Sequence, residues 1–478
     1  MDLVDRMAAS VPLLRLVVPR PQSTCRFCVC WLLVCSRGEY RWGAVGIGGV
    51  SVRTNRIGVH RVFSLTFVLF IATCALGLSQ DEVRLIKISD SIYMSPTTGN
   101  AYLVVTPAGS VVIDTANTRD APTARKLLGA EVRGPVKYII LTHGHADHIG
   151  GISLWKEEGT QIIAQRDHYE FVNYVTRLEG FFAPRNAASF GRPAHDAGQW
   201  AGNYGAKIEP TIFFDDRYQF TLGGIEFDLF STPGETPDHL MVWIPAYKTA
   251  FIGDNYAGAG IPEPMSFPNI YALRGTKPRW ALDWISSIDR VLALKPEVVL
   301  SGHGEPIIGN QEITRRLTRF RDAIQYVHDE VVKGMNAGKD VFTLMQEIKL
   351  PARYDLSEVF GKVSWSVRGI YDGYAGWFDT NPASMYEVPV SAVYPDLVML
   401  AGGPDPVVRL ALQKLESGRP VEALHLTDVV LAYDPKNSPA LEARLKALHS
   451  LREHCENYVE EGWLEYGITK AKERLDSK

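Results

Sequence analysis

Runs of apolar and polar residues divide most of the chain into short strands and, towards its end, into longer helices. Apolar, β-branched runs at 101–114, 138–141, 240–244 and 296–300 are typical of buried strands, and a glycine or polar residue closes each one. From about residue 312 the apolar positions recur at helical spacing instead. The pattern therefore predicts a sheet-containing domain followed by an all-helical one.

Shorter features fill in the first of these domains. Pro107-Ala108-Gly109 and Gly223-Gly224 each separate two strand-like runs, which predicts two β-hairpins, at 102–114 and at 211–231. We expect helices over 121–128 and 149–158 and a strand over 161–165. The segment 166–200, rich in aromatic residues and Arg, is expected to be an irregular insertion that forms a substrate wall.

The beginning of the chain has a different character. Residues 1–55 are poor in acidic residues, and basic residues then precede an apolar run at 62–77 that ends in small residues. This order is typical of a secretory signal peptide and predicts a secreted or secretory-pathway location. An uncleaved membrane anchor and an organelle transit peptide are the alternatives, although the run is short for a membrane span.

The net charge and the cysteine positions limit the partners and metal ligands that we expect. A net charge of −4 over 478 residues gives no electrostatic reason to expect a nucleic acid partner. Five of the 6 cysteines lie before residue 80, so the remaining chain keeps only Cys455. We therefore expect no internal disulfide there and no thiolate ligand in any metal site.

A cluster of three imidazoles and one carboxylate follows the strand at 138–141. It reads His143-Gly144-His145-Ala146-Asp147-His148, and both side-chain types are ligands for zinc and similar divalent ions. A solvated surface loop is the alternative interpretation. The motif resembles the H-x-H-x-D-H signature of the metallo-β-lactamase fold, and in that fold an Asp at the position of Asp114 supports the metal loop.

This resemblance implies two metal sites that share one bridging ligand. The first would be formed by His143, His145 and either Glu235 or His239, which lie in a Pro-Gly-containing loop. The second would be formed by Asp147, His148 and His303, and Asp254 would bridge the two sites. Each candidate directly follows a predicted strand, as a rigidly held site requires.

Two further segments resemble bacterial alkyl sulfatases. Residues 269–279 read N-I-Y-A-L-R-G-T-K-P-R, and residues 371–382 read Y-D-G-Y-A-G-W-F-D-T-N-P. The resemblance implies that Glu235 rather than His239 completes the first metal site, and that Arg274 and Arg279 bind the sulfate. Asn186 is a weaker candidate for substrate contact. The bridging ligand of that family is Glu, whereas this chain has Asp254.

These observations predict an α/β fold, a metallo-β-lactamase αββα sandwich followed by an all-α dimerisation domain. We divide the chain into a leader (1–56), a signal peptide or anchor (57–79), the catalytic domain (83–335) and the helical domain (336–478). The predicted function is hydrolysis of alkyl or aryl sulfate esters by a hydroxide activated by two divalent metal ions, taken as zinc. Asp147 and Asp254 are assigned catalytic roles, and the active form is expected to be a homodimer. The alternatives are a lactonase or phosphodiesterase of the same fold, or a non-catalytic metal-binding dimer.

Overall fold

The computed structural model describes residues 31–36, 39–44, 84–191, 209–256 and 265–477. The chain separates into two units, Met1–Asp81 and Glu82–Lys478. In the first unit, β1 (Trp31–Ser36) and β2 (Glu39–Ala44) form an antiparallel hairpin, and the predicted signal peptide or anchor at 57–79 lies outside the described residues. No helix in the described parts of the chain is long and apolar enough to cross a membrane.

Two mixed sheets form the centre of the second unit. The first contains seven strands in chain order: β3 (Ile86–Lys87), β4 (Ile92–Ser95), β5 (Ala101–Thr106), β6 (Gly109–Ile113), β7 (Val136–Ile140), β8 (Gln161–Gln165) and β9 (Ile212–Phe214). The second contains six: β10 (Arg217–Leu222), β11 (Ile225–Ser231), β12 (Leu240–Ile244), β13 (Thr249–Gly253), β14 (Val298–Ser301) and β15 (Ile307–Ile308).

The two sheets pack face to face, and helices cover their outer faces. Alternate apolar residues of both sheets, such as Ile113, Ile140 and Phe251, share one buried core between them. The helices of this part are α1 (Ala121–Gly129), α2 (Ala146–Ile149), α3 (Ile152–Trp155), α4 (His168–Arg177), α5 (Glu179–Ser189), α6 (Ala281–Ala293) and α7 (Asn310–Asn336). This is the predicted αββα sandwich.

A helical region follows the sandwich. Its helices are α8 (Val341–Glu347), α9 (Val363–Ala375), α10 (Tyr394–Leu400), α11 (Pro404–Glu416), α12 (Pro420–Tyr433), α13 (Ser438–Glu453) and α14 (Tyr458–Asp476). The last helix also packs on α5 of the sandwich domain. A side chain added at Gly462 would lie 2.5 Å from the carbonyl oxygen of Ala188, so this crossing requires glycine.

Three local predictions differ from the structure. The expected strand at 211–222 is divided between the two sheets, because Asp215 and Asp216 pair with Arg166 and Arg290 respectively and interrupt it. The expected helix at 149–158 is two short helices, α2 and α3, separated by Gly150 and Gly151. The described part of the expected irregular insertion consists of helices α4 and α5, whose charged outer positions obscure the helical pattern in the sequence.

Candidate metal centre and active site

Parallel strand pairs bring four loops to one edge of the sandwich. β6 pairs with β7 and β13 pairs with β14, both in parallel. The C-terminal ends of these strands lead to Asp114, to the segment 143–148, to Asp254 and to His303 respectively. The sheet register therefore positions the predicted ligands together although they lie far apart in the chain.

A buried carboxylate supports this edge. The Asp114 Oδ1 accepts the backbone N–H of Thr142 at 2.8 Å, and its Oδ2 accepts the Thr142 hydroxyl at 2.7 Å. Oδ2 also lies 2.9 Å from Nδ1 of His148, so Nδ1 carries a proton and Nε2 faces the ligand cluster. Asp114 thus has the supporting position predicted for it.

The ligand side chains converge in three overlapping groups. Within each group, the candidate ligand atoms all lie within 4.8 Å of one another. The three groups are His143, His148 and Asp254; Asp147, His148 and His303; and His145, Glu235 and Asp254. The His303 Nε2 lies 3.3 Å from Asp147 Oδ2 and 3.2 Å from Asp254 Oδ2, and the His148 Nε2 lies 3.5 Å from Asp254 Oδ1. Asp254 is therefore central, as a bridging ligand would be.

The donor atoms suit divalent ions. Among the described residues, His148 Nε2 and Asp254 Oδ1 are buried and make no hydrogen bond, although they lie 3.5 Å from each other, and this is costly unless a ligand satisfies them. The set consists of imidazole nitrogens and carboxylate oxygens only, a combination used by zinc and related ions. The residues present therefore fit two divalent cations.

The charges around His303 and His148 also favour the binding of a cation. Burial disfavours the charged ring of His303, but Asp254 and Asp147 outweigh it and raise its pKa to about 10. The same carboxylates together with Asp114 outweigh burial at His148 and raise its pKa as well. The cluster thus attracts positive charge, and metal binding would displace protons from these rings.

His239 lies behind the ligand cluster rather than in it. Its Nε2 accepts the backbone N–H of Asp254 at 3.0 Å, and its Nδ1 lies 3.1 Å from the Thr232 hydroxyl. Burial lowers its pKa to about 4, so the ring is neutral and able to accept. Gly253 has φ +47° and touches this ring so closely that an added side chain would lie 2.4 Å from Nε2. His239 therefore positions Asp254.

Arg279 contacts Glu235. Its guanidinium is buried and pairs with both carboxylate oxygens of Glu235, at 2.7 Å each, and it also donates to the Asn269 carbonyl. Burial raises the pKa of Glu235, and Arg279 opposes this increase. A guanidinium used in this way orients the Glu235 carboxylate, while its Nε has no hydrogen-bond partner within the described residues, so its contact with sulfate stays a prediction.

The loop that carries His303 is held by the opposite sheet. The Asn100 amide donates to the carbonyls of Ser301 and Gly304 at 3.0 and 2.9 Å, and its backbone N–H donates to Gly302. The Tyr102 hydroxyl donates to Ser301 as well. Asn100 has no metal-ligand pattern around it, so sequence reasoning did not identify this role.

A cavity of about 770 Å³ opens over the ligands. Arg274 lines it, and its guanidinium makes no hydrogen bond or ion pair within the described residues. Burial, and after it the positive charge of Arg274, lower the pKa of His145 to about 3. Asn186 also lines the cavity, with its Oδ1 buried and unpartnered. Cavity residues that the sequence analysis missed include Phe190, Asn269, Phe360 and Tyr458.

Arg185 holds the segment that carries Arg274. From helix α5 it donates to the carbonyls of Leu273 and Arg274 at 2.7 and 2.6 Å. Its guanidinium also lies 5.5 Å from the ring centre of Trp463 on α14. Arg185 therefore joins three elements of the cavity wall: helix α5, the segment that carries Arg274, and helix α14.

Comparisons with known proteins agree with this architecture. The metallo-beta-lactamase superfamily profile matches residues 94–303, and the alkyl sulfatase dimerisation profile matches residues 343–474. A linear primary-alkylsulfatase of Pseudomonas sp. (strain ATCC 19151) is 30% identical over 375 residues, which is 73% of this chain and 69% of that protein. The chain belongs to the alkylsulfatase family. This membership confirms the predicted fold class and the prediction of a sulfuric ester hydrolase.

Two further comparisons agree with this architecture. An alkyl/aryl-sulfatase of Saccharomyces cerevisiae is 26% identical, over 77% of this chain and 60% of that protein. The solved structure of a stereoselective inverting sec-alkylsulfatase from Pseudomonas sp. superposes with a TM-score of 0.71 at 21% identity, covering 83% of this chain and 66% of that one. The chain therefore spans 69% of the length of the Pseudomonas linear primary-alkylsulfatase and 60% of the length of the Saccharomyces cerevisiae alkyl/aryl-sulfatase.

The first prediction separates Glu235 from His239. We expect Glu235→Ala to reduce metal content by about one ion per chain, because it removes a ligand atom. We expect His239→Gln to keep the metal content, since it retains a polar group behind Asp254. Elemental analysis of the purified variants measures both. Loss of metal in His239→Gln together with full content in Glu235→Ala would reverse the assignment.

The second prediction concerns Asn100. Asn100→Ala removes a donor from two carbonyls in a buried loop and should lower the free energy of unfolding by about 1–3 kcal/mol. Urea unfolding of the metal-free chain measures this, and Gln219→Ala, which removes a surface hydrogen bond to Glu226, is the control. Metal affinity should fall in Asn100→Ala only, and equal effects of both changes would contradict the proposed role.

Proposed function

We propose that this chain hydrolyses alkyl or aryl sulfate esters with the help of two divalent metal ions, most simply zinc. The observation that carries the proposal is the position of Arg274. Its guanidinium has no partner among the described residues, and Arg274 lines the same cavity as His145, Asp147, Glu235, Asp254 and His303. Such a guanidinium offers paired donors to the oxygens of a sulfate.

The proposed roles of the protein residues follow the ligand sets that the sequence predicts. His143, His145 and Glu235 would hold one ion, and Asp147, His148 and His303 the other, with Asp254 between them. Two bound ions would activate a water molecule and polarise the ester. The protein supplies a fixed ligand arrangement and, in Arg274, an anchor that orients the sulfate over it. A neutral lactone would make no charge-assisted contact with Arg274, whereas a phosphodiester would, so the choice of a sulfate ester over a phosphodiester rests on the alkylsulfatase relatives.

We also propose a homodimer formed by the helical region. The segment 374–400 exposes a run of large apolar side chains, among them Trp377 at 78%, Val390 at 76% and Leu400 at 84% exposure. Soluble proteins rarely leave such a patch uncovered. It lies within the part of the chain that matches the alkyl sulfatase dimerisation profile. A second copy of this chain is therefore the partner that we assign to it.

The proposed location is the secretory pathway or the cell exterior. The apolar run at 62–77, with basic residues before it and small residues after it, supports this proposal. N-terminal sequencing of the protein recovered from expressing cells would locate a cleavage site. A chain recovered with 57–79 intact would favour the anchor or organelle alternatives.

The third prediction tests the sulfate anchor. Arg274→Ala should reduce kcat/KM for a sulfate ester by roughly ten- to a hundredfold, because a charge-assisted contact is lost, and it should affect a neutral ester much less. Metal content should stay the same. Arg119→Ala is the matched control, since Arg119 lines the cavity but is paired with Asp120.

Two outcomes would count against Arg274 as the anchor. Equal losses on sulfate and neutral esters would show that Arg274 supports the fold. No loss on either substrate would place the sulfate elsewhere in the cavity.

The fourth prediction tests the dimer. Introducing charge by Trp377→Glu together with Leu400→Glu should convert a dimer to a monomer, because both side chains would be buried between two copies. Sedimentation equilibrium at micromolar concentration measures the mass. Leu154→Glu, on an exposed apolar residue outside the patch, is the control. A monomeric wild-type chain would refute the proposal.

A further inference from the structure

The last helix contributes a residue to the cavity over the metal ligands. Tyr458 is the first residue of α14, and it lines the same cavity as Arg274 and Glu235. No motif marks it in the sequence, and it lies more than 150 residues beyond the last metal ligand. Its presence there means that the helical region takes part in forming the active site.

The start of α14 is held firmly against the preceding loop. The Asn457 side chain accepts the backbone N–H groups of Val459 and Glu460, both at 3.0 Å, and so caps the helix. Its amide nitrogen donates to the carbonyls of Glu358 and Phe360 at 2.6 and 2.9 Å. The position of Tyr458 is therefore fixed by backbone contacts on both sides.

The ring of Tyr458 is fixed as well. Phe360 lies nearly parallel to it at a centroid distance of 5.4 Å, and Phe190 at 6.1 Å. These three rings come from the end of α5, the loop before α9 and the start of α14. Because the stacked rings restrict rotation, the phenolic hydroxyl has a defined place at the cavity.

This hydroxyl has no hydrogen-bond partner within the described parts of the chain. Burial raises the pKa of Tyr458; Arg274 opposes the increase, and Asp147 and Glu235 add to it. The hydroxyl is therefore protonated at neutral pH and able to donate a hydrogen bond.

We propose that the Tyr458 hydroxyl donates a hydrogen bond to an oxygen of the sulfate group that Arg274 binds. A hydroxyl donor and a guanidinium that line the same cavity, both without a partner among the described residues, suit an anion with several acceptor oxygens. Together the two groups would select for a tetrahedral anionic group and fix its orientation. The inference rests on the proposed sulfate ester hydrolysis and names a further specificity-determining residue for it.

Tyr458→Phe tests the proposal because it removes only the hydroxyl and keeps the stacked ring. We expect kcat/KM for a sulfate ester to fall by about ten- to a hundredfold, as for other hydrogen bonds to a charged group. Competitive inhibition by inorganic sulfate should weaken by a similar factor. Metal content and melting temperature should stay at wild-type values.

Tyr466→Phe is the matched control, since Tyr466 is a partly exposed tyrosine on the same helix. It should behave as the wild type in every measurement. Wild-type kcat/KM and sulfate inhibition in Tyr458→Phe would overturn the proposal. An equal loss on a neutral ester would also overturn it, because the hydroxyl would then act on the fold and not on the sulfate.

A separate measurement distinguishes this inference from the proposed function. Calorimetric titration of inorganic sulfate into the metal-loaded wild type and Tyr458→Phe reports the contact without any turnover. If the wild type hydrolyses no sulfate ester, the proposed function fails. Weaker sulfate binding in Tyr458→Phe would still support the contact, and equal binding in the two proteins would refute it.

Discussion

The three hydrogen bonds accepted by the Asp114 carboxylate are the interaction on which the active site depends. These bonds join the ends of two parallel strands, and they also fix a proton on Nδ1 of His148. Asp114 has a left-handed backbone conformation, with φ +57°, which a non-glycine residue keeps only where the surrounding contacts hold it. Without this carboxylate, buried donors of Thr142 and His148 would lack partners, and the ligand loop would lose its support.

A second set of contacts adapts the first metal site to a carboxylate ligand. Glu235, the proposed ligand, introduces a buried negative charge. Arg279 pairs with that charge and orients it, while Asn255 accepts the backbone N–H of Glu235 and donates to the Thr232 carbonyl. A buried carboxylate needs such partners. The charge of this ligand thus explains why an arginine is buried beside it.

The sequence was most informative where function depends on a local pattern. The cluster at 143–148 and the strand ends before Asp254 and His303 predicted the ligands, because parallel strands bring their C-terminal ends to one edge. The role of Arg279 could not be read from its motif, since a guanidinium in that segment suits a sulfate or a carboxylate equally. Tyr458 and Phe360 carry no local signal at all. Their contribution depends on how the helical region packs on the sandwich, which periodicity does not reveal.

The close crossing at Gly462, where α14 meets α5, has a consequence for how this protein has evolved. Helix α5 carries Arg185, which holds the loop of Arg274, and α14 begins at the cavity. The two matched regions of the chain are therefore not interchangeable modules. A recombination that exchanged the helical region for that of a relative would alter the shape of the cavity as well as the dimer surface. Changes in substrate preference within this family can thus arise by substitution far from the metal ligands, in the helical region that matches the dimerisation profile.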